Sequence, residues 1–235
     1  EQGGVGQRTA IRHATIMPHR VSPPPSAPPR RASPDNGVAP VHSVSVTATE
    51  QAPQPFRDAV ESMHAAHVRA EISLGDIRPP QNLAPYSHAV GLEVLHPETD
   101  LVPETSEGDA FGRLILLHDP KAEESWSGTM RLVAYIQADM DADVASDPLL
   151  PQVAWQWLHE AFEDCGAELS NLGGTVTTTN SVRYGEIGGP PEAFQLEMRA
   201  SWTAAGLDLS PHVEAFSRVL ANVAGLPPEG VAQLQ

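Results

Sequence analysis

The chain has 235 residues, 40% of them hydrophobic and only 5% aromatic, with 14 basic residues against 30 acidic ones and a net charge of −16. That length accommodates one or two domains with a real core. The charge is unevenly placed: residues 1–50 carry five Arg against three acids, and the remainder carries nine basic residues against 27 acidic ones. So acidic a body repels phosphate backbones and anionic headgroups, which argues against nucleic acid and membrane surfaces as direct partners.

A single cysteine, Cys165, has no internal disulfide partner, and its place on an apolar helix face reads as a core thiol in a reducing compartment. No run approaches the ~20 apolar residues of a membrane span, and no signal-peptide pattern is present. The expected location is cytoplasmic.

In chain order, residues 1–52 hold eight prolines without helical or strand periodicity and read as a disordered tail. Within it PPPSAPPRR (Pro23 to Arg31) has the shape of a polyproline II ligand, and RRAS, ending at Ser33, that of a basophilic kinase site. Residues 53–228 read as one α+β domain, and 229–235 as a loose C-terminus.

The domain opens with a helix: Phe56, Ala59, Val60, Met63, His67 and Ala70 keep helical spacing to about Glu71. His64 and His67 stand one turn apart, a spacing at which two imidazoles share a metal, but no third ligand is placed by sequence. GDIRPPQNLAP (Gly75 to Pro85) then reads as a proline-rich connection. Three strands are expected next. In the first, Tyr86, Val90, Leu92 and Val94 alternate with Ser87, Ala89, Gly91 and Glu93. The second, Phe111 to His118, is apolar on both parities and reads as central, covered on both sides. The third puts Met130, Leu132, Ala134, Ile136 and Ala138 on one face.

DMDADVASD (Asp139 to Asp147) has the acid spacing of a calcium loop but Val144 at the sixth position and Leu150 at the twelfth, where glycine and a bidentate Glu are needed. It reads as a solvated turn into the strongest helix of the chain, Asp147 to Gly166. There Asp147 is the expected N-cap, Pro148 the first helical residue and Gly166 the left-handed stop. Gly173 to Tyr184 is a Thr-rich strand, Phe194 to Thr203 a cleanly alternating one, and a last helix runs from Ser210 with Pro211 at its start to Gly225.

The order helix, three strands, helix, two strands, helix resembles that of type III secretion chaperone-like proteins. The resemblance implies a five-stranded antiparallel sheet packed against helices, a middle helix contributing to a homodimer interface, and polypeptide clients bound without catalysis. GRLILLHDP (Gly112 to Pro120), WSGTMRLV (Trp126 to Val133), DPLLPQVAWQWL (Asp147 to Leu158), GGTVTTTNS (Gly173 to Ser181), RASWT (Arg199 to Thr203) and AGLPPEGV (Ala224 to Val231) resemble the motifs of an actinobacterial family of unknown function. That likeness transfers no activity and no site residue.

Two functional candidates emerge. The apolar arc of the central helix is wider than one packing partner requires, so Trp155 and Phe162, with His159 beside them, are interface candidates for a second copy or a client polypeptide. The alternative is a small-molecule or acid/base site at the strand ends, made of His118, Asp119, His88 and Arg199. No nucleophile elbow, phosphate loop, HExxH motif or cofactor fingerprint occurs, so neither a cofactor nor a metal is expected.

Overall fold

The computed structural model describes residues 52–95, 110–121 and 124–229. The expected disordered tail before residue 52, with its two short motifs, and the loose end from residue 230 lie outside the described residues. The elements in order are α1 (Gln54–Ala65), β1 (Ile72–Asp76), β2 (Tyr86–Val94), β3 (Ala110–His118), β4 (Met130–Met140), the short α2 (Ala142–Ala145), α3 (Leu150–Cys165), β5 (Leu169–Val182), β6 (Glu192–Ala204) and α4 (Ser210–Val223).

The fold is α+β, as the sequence suggested, but the sheet has six strands and not five. Its order is β1-β2-β3-β4-β6-β5, antiparallel throughout. The additional strand is β1, which follows the expected helix end near Glu71 and takes in the start of the expected proline-rich connection at Gly75. α1 stops at Ala65, and Ala66 is already extended. Phe56, Ala59, Val60 and Met63 complete its buried stripe, so nothing further along needs the helix. The alternation in β1 is only five residues long, too short to distinguish a period of 2 from one of 3.6.

α1, α3 and α4 cover one face of the sheet. Along β2, β3 and β4 the even-numbered residues point into that layer: Val90, Leu92, Leu114, Leu116, Leu132 and Ile136 are fully buried. α4 crosses closest. A Cβ on Gly112 would come within 2.7 Å of the Phe216 ring, so the missing side chain in β3 is what admits the aromatic ring from α4. Burying such a ring fully contributes about 2–3 kcal/mol.

The odd-numbered face is only half covered, which corrects the expectation that the second strand is sealed on both sides. Arg113 is exposed, and Phe111 and Ile115 are half-buried. Loops cover its margins. Thr203 Oγ1 donates to the Trp126 carbonyl at 2.6 Å, and Asn171 Nδ2 donates to the same carbonyl at 2.9 Å, which ties the β3–β4 connection down at one end.

α3 ends as its sequence implies. Gly166 is left-handed with φ 67°, and the Ala167 N–H closes on the Phe162 carbonyl at 2.9 Å. It starts later than expected: Asp147 Oδ1 accepts the Leu149 N–H at 2.8 Å in a preceding turn, and Pro151, not Pro148, lies in the first helical turn.

Candidate functional site

The four residues of the acid/base alternative do not converge. His118 closes β3 on the helix-covered face, where it is buried. Its Nδ1 lies 2.9 Å from the Thr129 carbonyl, and its ring stacks on Phe56 with centroids 5.9 Å apart. Asp119 belongs to the turn after it, with Oδ1 accepting the Lys121 N–H at 2.9 Å. Arg199 lies on the opposite face of the sheet, its Nε 2.9 Å from Glu197 Oε1 and its guanidinium over the Tyr135 ring.

His88 keeps different company. It shares the helix-covered face of β2 with Val90, which is in register with Asp76 at the end of β1. His64, in the last turn of α1, hangs over the same corner. Asp76 Oδ1 is 3.2 Å from His64 Nε2 and 3.3 Å from His88 Nε2, and the two imidazoles meet edge to face with centroids 5.2 Å apart. The side chains of Asp76 and His64 are 66% and 41% exposed, whereas His88 is only 13% exposed. Burial lowers the His88 pKa, against an opposing pull from the Asp76 carboxylate. Its Nε2 is buried and makes no hydrogen bond of acceptable geometry. His67 is not part of this group. It lies beyond the end of α1, where its backbone N–H donates to Glu214 Oε1 at 3.0 Å.

Sequence reasoning named two of these three residues and grouped neither correctly. The only signal for the third was Asp76 in a segment read as a connection, and the contact depends on β1 being a strand.

The interface candidates separate as well. Phe162 is buried and packs edge to face on Trp202 with centroids 4.8 Å apart, so it belongs to the core and not to an interface. Trp155 is half-buried against β5: a Cβ on Gly174 would lie 2.8 Å from its ring. His159 is exposed and meets the Trp155 ring edge at 5.6 Å. Cys165 is half-buried on the same helix, and desolvation raises its thiol pKa, which disfavours the thiolate a nucleophile needs.

Trp155 borders the feature that the sequence did not single out. β5 is an outer strand of 14 residues, LSNLGGTVTTTNSV, without a charge or a proline. It pairs with β6 on one side, and among the described residues no strand pairs with its other side. Natural edge strands are usually short or blunted by charge and proline. β1, at the opposite edge, follows that rule, being five residues long, ending in Asp76 and followed closely by Pro79 and Pro80. β5 does not. Its last residue, Val182, is 47% exposed, and the hairpin to β6 exposes Tyr184 and Ile187 at 80% and 67%.

Among the described residues no helix is long and apolar enough to cross a membrane. No curated protein and no solved structure matches the chain. A family model matches residues 52–232, a span that takes in every helix and strand above and the six sequence blocks noted at the outset. The chain belongs to the family described as protein of unknown function (DUF3000).

Proposed function

We propose that the protein is a non-catalytic protein-interaction module that pairs with a second copy of itself through β5. The observation that carries this reading is the long, uncharged free edge of that strand. Its unpaired backbone N–H and C=O groups form a template for a further antiparallel strand. A second β5 running the other way across a two-fold axis satisfies both edges at once.

Charge supports a second copy over a basic client. The body is strongly acidic, yet β5 carries no carboxylate to receive a basic peptide, so it is a place where two acidic chains can meet without like charges in contact. Trp155 packs on the strand at Gly174, and with His159 against its ring it would extend the contact onto α3.

Sedimentation of the full chain tests the reading. The expected species is a dimer of the 25.1 kDa chain that tightens as salt screens the repulsion between the two acidic bodies. Thr177→Lys with Thr179→Lys, both on exposed positions of β5, returns it to monomer with unchanged circular dichroism, and Trp155→Glu weakens it. A monomer at about 100 µM, far above the protein concentrations at which a specific dimer persists, or a dimer indifferent to these changes, overturns the proposal. An extended client that binds in place of the second copy and weakens with salt is the competing outcome.

A further inference from the structure

We infer that His64, Asp76 and His88 form a binding site for a divalent first-row metal ion, with Zn2+ the best fit. The inference is independent of the dimer.

Three observations carry it. First, the donor set is right: one ring nitrogen from each of two imidazoles and one carboxylate oxygen, drawn from α1, β1 and β2, lie within 4.8 Å of one another. Imidazole and carboxylate together suit zinc and related ions, and three protein ligands with an open fourth position make an accessible centre.

Second, the spacing is right. Ligand atoms about 2.0 Å from a tetrahedral zinc stand about 3.3 Å from each other along each edge. The carboxylate oxygen is 3.2 Å from one imidazole nitrogen and 3.3 Å from the other. Only the edge between the two histidines must close, and His64, at the end of its helix and 41% exposed, is free to turn.

Third, His88 Nε2 is a buried polar atom without a hydrogen bond. Leaving such an atom unsatisfied costs about 1–3 kcal/mol. An imidazole nitrogen that is not spent on a hydrogen bond can offer its lone pair to a cation. An ion pair alone accounts for His64 and Asp76, both of which are partly solvated. It leaves the buried His88 Nε2, 3.3 Å from the same carboxylate oxygen, without a hydrogen bond.

Calorimetric titration of the chelator-stripped full chain with Zn2+, and absorption spectroscopy with Co2+ as the probe, test the site. The expected results are about one ion per chain at micromolar or tighter affinity and the intense visible bands of four-coordinate Co2+. Asp76→Asn keeps the shape of an exposed residue, and with His64→Ala it weakens binding by at least about 100-fold, the upper end of what a lost supporting group costs a metal site. His67→Ala leaves the affinity unchanged. Wild-type protein that takes up no ion overturns the inference. So does uptake that survives both Asp76→Asn and His64→Ala, because the histidines at 13, 19 and 42 would then account for it.

Discussion

Trp202 donates its indole Nε1–H to Nδ1 of His212 at 3.2 Å, with both side chains buried between the sheet and α4. The bond fixes the histidine as a neutral acceptor. Burial lowers its pKa to about 4, against a smaller opposing pull from Asp208. Protonation would place a charge in the core and abolish the acceptor that Trp202 needs.

Acid sensitivity follows from that pair. The folded pKa lies below the unfolded value of 6.5, so the unfolded chain takes up the proton first, and stability is full above about pH 6.5 and declines as pH falls towards 4. The gap corresponds to about 3 kcal/mol at most, from about 1.4 kcal/mol per pKa unit. Urea unfolding at a series of pH values should show this loss, and His212→Gln should flatten the slope in that window. An unchanged slope in the variant removes His212 as its source.

Phe162 and Trp155 give opposite results when truncated. Phe162 is buried on Trp202, so Phe162→Ala leaves a cavity and costs about 3–5 kcal/mol. Trp155 lies half-exposed beside β5, and Trp155→Ala should cost less in the monomer. Denaturant midpoints measured in parallel decide this ordering.

Gly173 and Gly174 are neighbours in β5 with different tolerances. A Cβ on Gly173 meets nothing within 4 Å, whereas one on Gly174 collides with the Arg199 carbonyl, with the Ala200 Cα at 2.9 Å and with the Trp155 ring at 2.8 Å. Gly174→Ala should therefore destabilise by about 1–3 kcal/mol, and Gly173→Ala should change the melting temperature little. Equal effects would mean that β5 does not approach β6 and α3 as described.

Thr203 tests the tie between the sheet and the β3–β4 connection. Its Oγ1 donates to the Trp126 carbonyl and accepts from Arg131 Nη1 at 3.1 Å. Thr203→Val removes both bonds, while Asn171 still donates to the Trp126 carbonyl and Arg131 Nη1 to the Asn171 carbonyl, so the cost is that of the lost bonds, about 0.5–1.5 kcal/mol each. Thr203→Ser keeps the hydroxyl and should recover most of that loss in the same unfolding experiment.

The sequence by itself determined what is local. The stop of α3 at Gly166 needs only a residue tolerant of positive φ, and the alternation of β6 from Phe194 to Trp202 needs only one buried face. Both were legible for that reason, as was the antiparallel α+β class. Tertiary structure alone decided the rest. Phe162 could be assigned to core or surface only once Trp202 was known to lie beneath it. β1 exists because β2 offers it an edge, not because five residues announce a strand. The meeting of His64, Asp76 and His88 follows from that same pairing: one carboxylate and two imidazoles, 24 positions apart at the extremes, become neighbours only when a helix end is laid over two paired strands. The open edge of β5 is a property of strand order, and strand order is set by which long-range contacts repay the cost of closing the loops between them.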